Sequence, residues 1–426
     1  MVADADEPNN IRKKKVLGLG YWVQGFRCFP WMAVNFFLKD SLRVHPSTLQ
    51  LLQNSANLPM VAKPLLGLLS DSFYIAGQRR IPYIAIGALL QALSWLAIAI
   101  QSESGISITT ITLYLLLTNL GASIAEVAND AIVAESSKQT SQSSGELQSF
   151  VWMASSVGGV LGNLLGGLLI DRLSPPKMFL FFGLLLALQF FITVVVPERS
   201  LNLPKTPSRV GVREQLSLAF KNPDIARSIA WLGASYAVIP ALTGTMFFYQ
   251  TQHLKIESSV LGMSKVFGQV AMLAWGIIYD RWLKRVESRK VIAGIQGMTA
   301  LLMASDVLFV KGLYSRMGVA DSVYVVIFSG VLEVLVFVKI LPFSVLIAKL
   351  CPAGCEGSLM ALVMSVIALS LIVSGYLGVA LAECAGVTGD DFSGFPLALL
   401  IQALCTLLPL YWSYCIPDDH KSTKKD

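Results

Sequence analysis

Charged residues are scarce in this sequence. Asp, Glu, Lys and Arg make up 14% of its 426 residues, against about 25% in soluble globular domains. The deficit runs along the whole chain, which excludes an ordinary charged, water-facing surface. Histidine is scarcer still: only His45, His253 and His420 occur, and none forms an H-E-x-x-H pair. No glycine-rich loop ends in Lys-Ser or Lys-Thr, so a phosphate-cradling loop is absent too. The six cysteines (Cys28, Cys351, Cys355, Cys384, Cys405, Cys415) fit neither a disulfide framework nor zinc-ligand spacing, and they read as buried thiols. These absences leave little chemistry for an enzyme, and no cofactor or metal is expected; an intramembrane enzyme remains a minor alternative. Large soluble loops and tails are also missing, which argues against a non-transporting receptor. The acidic, polar first ten residues read as neither a secretory signal nor a transit peptide, which would be poor in acids; the expectation is that no cleaved address is needed or that one was removed ahead of this chain.

What the chain has in quantity is long apolar runs. Hydrophobic residues make up 54%, and a bilayer core needs about 20 apolar residues per helix. Twelve such runs lie near 16–38, 47–69, 81–101, 108–134, 147–170, 177–196, 225–250, 258–280, 290–310, 322–348, 356–382 and 394–416. The expected fold is an all-α membrane protein with two six-helix halves, 16–197 and 225–416, between polar tails at 1–15 and 417–426. The proline- and charge-rich stretch 198–224 joins the halves. The net charge of +6 does not point to nucleic acid, because the basic residues sit in short clusters between apolar runs. Counting residues at the very ends of a run with the adjoining segment, 22 of the 33 Lys and Arg fall on the side of both termini and the linker, seven on the other, and four deeper inside the runs. The positive-inside rule places the termini and the linker on the cytosol-like side.

A repeat supports the two-half reading. Gly67 to Asp71 ends the second run, Gly276 to Asp280 with Arg281 ends the eighth, and Gly167 to Asp171 with Arg172 ends the fifth. A degenerate version, Gly378 to Glu383, ends the eleventh. This is the pattern of inverted three-helix repeats nested in two halves. Gly158, Gly159, Gly162, Gly166 and Gly167 in the fifth run read as a close-packing surface.

Charges inside the runs are the candidate functional residues, since each costs at least ~2.5–3.5 kcal/mol at mid-membrane. Arg27 is central in the first run, and Lys63 lies between Pro59 and Pro64 in the second. Glu126 and Asp130 are four apart in the fourth, on one helix face. Glu333 and Lys339 lie in the tenth, with Lys339 nearer a helix end; Lys265, early in the eighth, is expected to snorkel outward. Three acids and three bases over four runs point to a polar substrate path. In that reading Arg27, paired with Glu126 or Glu333 when empty, binds an anionic group.

The stretch Gly67 to Arg80, with Asp71, Gly77, Arg79 and Arg80, resembles the loop between helices 2 and 3 of the major facilitator superfamily, with a longer insert before Gly77. The run Tyr21-Trp22-Val23-Gln24-Gly25-Phe26-Arg27, Pro59 to Asp71, Ile81-Pro82-Tyr83 and Glu126 to Glu135 are similar to the folate–biopterin transporter family within it, most of all its plant and cyanobacterial branch. The resemblance implies a secondary transporter of folates or pteridines and a plastid envelope address. S-adenosylmethionine or an amino-acid-like solute is the alternative cargo. With the intramembrane charges and the repeat, the expected site is substrate binding by Arg27, Lys63, Glu126, Glu333, Gln24 and Trp22, proton coupling through Glu126 and Asp130, and gating by Asp71, Arg79, Arg80, Asp280 and Arg281.

The charge asymmetry makes a testable statement about sidedness. Single cysteines introduced in the 198–224 stretch and at the C-terminus should react with an impermeant maleimide from the same, cytosol-like side. Labelling from opposite sides would end the twelve-run topology.

Overall fold

The computed structural model describes residues 7–139, 144–201, 221–283, 285–350 and 356–417. Cys351, Cys355, His420 and most of the 198–224 stretch fall outside that set, as does the side chain of Asp280. Apart from one isolated bridge, the described residues form helices and the turns between them.

The first two apolar runs are broken helices, and proline marks each break. The first comprises α1 (Glu7–Phe26), α2 (Cys28–Phe36) and a π turn at Phe37–Ser41. Pro30 lacks the N–H that would bond the Phe26 carbonyl, and the Trp31 N–H to Arg27 O contact is stretched to 3.4 Å. The second comprises α3 (Pro46–Ala56), a 3₁₀ turn (Leu58–Ala62) and α4 (Lys63–Ser72), with Pro59 and Pro64 in the interruption.

Four uninterrupted helices follow: α5 (Ile81–Ser104), α6 (Ile108–Gln139), α7 (Ser144–Leu169) and α8 (Pro175–Val195). The seventh run is broken again, into α9 (Pro223–Ala237) and α10 (Thr243–Phe248) with a π turn at Tyr249–His253. Then come α11 (Ser258–Ile278) with a π turn to Leu283, α12 (Ser288–Val310), and the short α13 (Leu313–Arg316) and α14 (Asp321–Tyr324). The tenth run continues through a π turn (Val325–Ser329), α15 (Gly330–Val338) and α16 (Ile340–Leu350). The described chain closes with α17 (Glu356–Cys384) and α18 (Phe395–Tyr411). Among the described residues, eight stretches are long and apolar enough to cross a bilayer. The other four expected runs are the three broken ones and α18, which has 17 residues.

The chain divides into two compact units. One is 1–37 with 55–211; the other is 38–54 with 212–426. In the first, Leu17, Ile84, Ala128, Ile132 and Val151 interdigitate among α1, α5, α6 and α7. In the second, Leu232, Phe343, Ile347, Val363 and Ile367 fill the space among α9, α16 and α17. The outer face of α8 exposes Phe181, Leu184, Leu188, Phe191 and Val195, the last at 80%. Water would not tolerate such a stripe, whereas acyl chains do.

Lipid supplies no hydrophobic drive between helices, so close van der Waals packing holds them together. Glycine provides it on α7. A Cβ on Gly158 would run into the Trp22 carbonyl, and one on Gly162 would lie 2.6 Å from Cys28 Sγ. The expected glycine surface is therefore where α7 meets α1 and α2. Small-to-large changes in such contacts cost about 1–3 kcal/mol. Gly158→Ala should thus lower the unfolding temperature of the purified protein in micelles. Gly294→Ala, where nothing lies within 4 Å of the new Cβ, should not. Equal shifts would remove glycine packing as the cause.

Candidate functional site

The break in the first run places Arg27 at the start of α2, and the break in the second places Lys63 at the start of α4. Both reach Glu126 on α6. Arg27 Nη1 donates to Glu126 Oε1 at 2.6 Å, and Lys63 Nζ donates to Oε2 at 2.6 Å. Arg27 Nη2 donates to Asn119 Oδ1 at 2.7 Å. Asn119 in turn donates to Ala56 O at 2.7 Å and Asn57 Oδ1 at 3.1 Å, which ties the guanidinium to the second break. Asn119 and Glu126 are seven apart, two helical turns on one face of α6. The side chains of Arg27, Glu126 and Lys63 are 12%, 8% and 25% exposed. Charge-assisted bonds in such surroundings are strong, and losing one partner is correspondingly costly. Arg27 Nε meets no acceptor among the described residues, so the fork keeps a free donor.

Around this cluster, Trp22 stacks on Phe26 with ring centroids 5.0 Å apart, and Phe26 on Phe29 at 5.1 Å. Phe26 and Phe29 are buried and also meet Phe181 of α8, so they serve packing. Trp22 and Gln24 are half-buried, and Gln24 Oε1 meets no donor among the described residues. Asp130, one turn beyond Glu126, accepts a short bond from the Tyr21 hydroxyl of α1.

A second charged cluster forms at the loop between α4 and α5. Ala76 and Gly77 both adopt positive φ, at 52° and 72°, and close a tight turn across the Ile75–Gln78 bridge. Glycine accepts that conformation at no cost. The turn delivers Arg79 and Arg80 to α6 and α4. Arg80 bonds Asp71 and Glu135, each at 2.6 Å, and Arg79 pairs with Glu135 as well. Burial works against charge on the Arg80 guanidinium, but Glu135 and Asp71 outweigh it and hold its pKa above the ordinary value. Glu198, following α8, accepts from the backbone N–H groups of Arg79, Arg80 and Ile81 at 2.7–3.0 Å. It occupies the anion position at the N-terminus of α5.

The second unit departs from expectation in three ways. Glu333 pairs with Lys265, not with Arg27; an ammonium that finds a carboxylate within the same unit has no reason to snorkel. Lys339 is 3% exposed, far from the marginal helix-end position its place in the run suggests. Its Nζ bonds Ser235 O, Ser235 Oγ and Gln296 Oε1 at 3.0–3.2 Å and lies 3.7 Å from the Tyr236 ring centroid. Arg281 is exposed in the π turn after α11, so the Asp71–Arg79–Arg80 arrangement has no described counterpart there. Sequence reasoning did not assign roles to Asn119, Glu135, Glu198 or Tyr21. Only the mid-run position of Asn119 and the place of Glu135 in the 126–135 stretch singled out two of them.

A family model described as the BT1 family matches residues 24–426. An Arabidopsis thaliana protein named "Probable folate-biopterin transporter 7" is 61% identical over 416 residues, covering 96% of this chain and 94% of the relative. A second from the same plant, "Probable folate-biopterin transporter 9, chloroplastic", is 44% identical, covering 94% and 76%. Among solved structures, a POT family transporter superposes with a TM-score of 0.74 at 11% identity, covering 99% of both chains; this similarity fixes the fold as the major facilitator type.

The cluster around Glu126 predicts an asymmetry in stability. Glu126→Gln leaves two buried cations without their carboxylate and should cost about 3–5 kcal/mol in unfolding free energy. Adding Lys63→Met removes one of those cations and should recover part of the loss. A double variant less stable than Glu126→Gln in thermal melts would refute the shared ion pair.

Proposed function

The chain belongs to the BT1 family and is a multi-pass membrane transporter rather than an enzyme; from that premise we propose that it moves folates or related pteridines by alternating access, coupled to protons. The observation that carries this reading is the Arg27–Glu126–Lys63 cluster, two cations held on one carboxylate inside the first unit. A folate pairs a pterin ring with glutamate carboxylates. The pterin edge offers two parallel N–H donors to a carboxylate such as Glu126. The glutamate carboxylates suit the planar fork of Arg27 and the point charge of Lys63. Trp22 offers a flat face to the ring, and Gln24 an acceptor.

Proton coupling follows from charge balance. With Glu126 ionised, the cluster carries one net positive charge. A proton on Glu126 withdraws it as the two-fold acceptor of the pterin edge and leaves Arg27 and Lys63 unopposed, and a dicarboxylate cargo then neutralises them; the ionised, pterin-bound state and the protonated, carboxylate-bound state are alternatives in this scheme. Asp130, bonded to Tyr21, is the second acid on the same face and the alternative acceptor. Asp71, Arg79 and Arg80, with Glu135 and Glu198, form an ionic latch that gates the loop side in this scheme, and Asp280 and Arg281 are its proposed equivalents in the second unit. Glu333, in this scheme, meets the cargo only once released from Lys265. The chloroplastic relative supports a plastid-envelope location.

The test is uptake into proteoliposomes of the full chain. Arg27→Lys retains charge but loses the bidentate fork, so uptake of folic acid should fall at least about tenfold, the equivalent of ~1.4 kcal/mol, while uptake of uncharged biopterin changes little. Equal losses for both solutes at unchanged membrane level would make Arg27 a structural pairing residue instead.

A further inference from the structure

The second unit holds a buried acid that the transport scheme above leaves unused. Asp306, on α12 near its end at Val310, is 5% exposed and forms no salt bridge among the described residues. Its Oδ1 accepts from the Tyr324 hydroxyl of α14 at 3.0 Å. The Tyr324 hydroxyl lies 2.6 Å from Ser305 Oγ, and Ser305 Oγ accepts from the Tyr314 hydroxyl of α13 at 3.3 Å. A hydroxyl has one proton to give. Because Tyr324 gives its proton to Asp306, Ser305 must donate to Tyr324, and Tyr314 then donates to Ser305. The three hydroxyls form a chain in which every bond points toward the buried carboxylate.

The chain starts near the surface. Tyr314 is half-buried, in the short helix of the loop after α12, on the face expected to be poor in basic residues. Tyr324 is fully buried and fixed in place by stacking on Phe309 at 4.2 Å, Tyr314 at 4.9 Å and Phe328 at 5.0 Å. The neighbouring titratable and charged groups are engaged elsewhere, exposed or half-buried. Tyr249 donates to Val310 O and stacks on His253, Glu333 holds Lys265, and Lys339 is bonded to Ser235 and Gln296. Lys311 and Arg316 are exposed, Tyr411 is exposed on α18, Cys405 is half-buried, and Asp321 is half-buried at the start of α14. An isolated carboxylate is costly to bury as an anion and cheaper to bury with a proton.

We propose that Asp306 is a second proton-binding site of the transporter, loaded from the loop side through the Tyr314–Ser305–Tyr324 hydroxyl chain. In the loading step the Tyr324 O–H proton passes to the Asp306 carboxylate, and the Ser305 proton passes to Tyr324. The Tyr314 proton passes to Ser305, and water returns one to Tyr314. The net change is one proton taken from solvent and one carboxylate neutralised; the three hydroxyls are regenerated with their bonds reversed. The proposal rests on proton-coupled transport for its purpose, though not for its chemistry.

The experiment is infrared spectroscopy of the full chain in proteoliposomes after a pH jump, which requires no substrate. A protonated-carboxyl band that appears on acidification and is missing in Asp306→Asn is the expected result. Ser305→Ala cuts the chain without touching the aromatic stack, and it should slow the band's appearance while leaving its final size unchanged. Tyr324→Phe, which keeps the stack, should do the same. A carboxyl that holds one protonation state from acid to alkaline buffer overturns the site, and an unslowed band in both hydroxyl variants overturns the relay. A parallel measurement of folic acid uptake under a proton gradient keeps the two readings separate. A titrating Asp306 without uptake under any gradient sustains the site and sinks the folate reading. Gradient-driven uptake with a silent Asp306 sinks the site and leaves the folate reading standing.

Discussion

Hydrocarbon solvates neither an ion nor an open backbone bond, and the first unit is arranged around that single constraint at Glu126. Two helices break close to the carboxylate, and each break brings a cation to it. The breaks free carbonyls that need donors, and Asn119 answers one of them at Ala56 while its oxygen holds Arg27. Charge pairing and backbone satisfaction thus share the same few side chains. A change at any one of these is felt by the others, which makes the cluster cooperative rather than a sum of pairs.

The second unit meets the same constraint with different means. Its broken run, between α9 and α10, carries no charge. The Ala241 N–H donates to Ser374 O, Ser374 Oγ donates to Ile239 O, and Gln50 of α3 bonds Ala241 O, Gly244 N and Gly375 O. Its buried cation, Lys339, is solvated by hydroxyl, amide and carbonyl oxygens and by the face of Tyr236. The first unit therefore neutralises Glu126 with opposite charges, and the second disperses the charge of Lys339 over dipoles and a ring quadrupole. The two arrangements respond differently to an incoming anion. The first must give up a partner to bind it, and the second has none to give up.

Much of this was legible from the residues. Apolar run length located the helices; Pro59 and Pro64 stood out only as the flanks of Lys63, and the breaks belong to the folded chain. The cost of mid-membrane charge singled out Arg27, Lys63 and Glu126 without any view of their contacts. Pairings were not legible, because sequence position along a run says nothing of which face meets which neighbour. Glu333 was as good a partner for Arg27 as Glu126 until the geometry gave it Lys265. Lys339 and Asp306 sit near the ends of their runs, where charge ordinarily reaches water. Short helices and a π turn fold over the end beside Asp306, and burial there is a tertiary fact that no local pattern carries. Glu198 read as the first charge of a linker, and its role as the anion at the start of α5 depends on a fold that returns it to residues more than 100 positions earlier.

Gln50 also sets a timetable. Its carboxamide closes the backbone at Ala241 and Gly375, which lie 191 and 325 positions later in the chain. A ribosome adding about 5–20 residues each second needs on the order of tens of seconds to deliver Gly375 after Gln50 has emerged. Through the first part of that interval, until Ala241 and Gly244 follow, Gln50 lacks every one of these partners, and its bond to Gly375 comes last. The segment 38–54 must then wait beside the membrane for residues not yet made, and the order of translation, as much as the finished packing, becomes a condition the sequence has to satisfy.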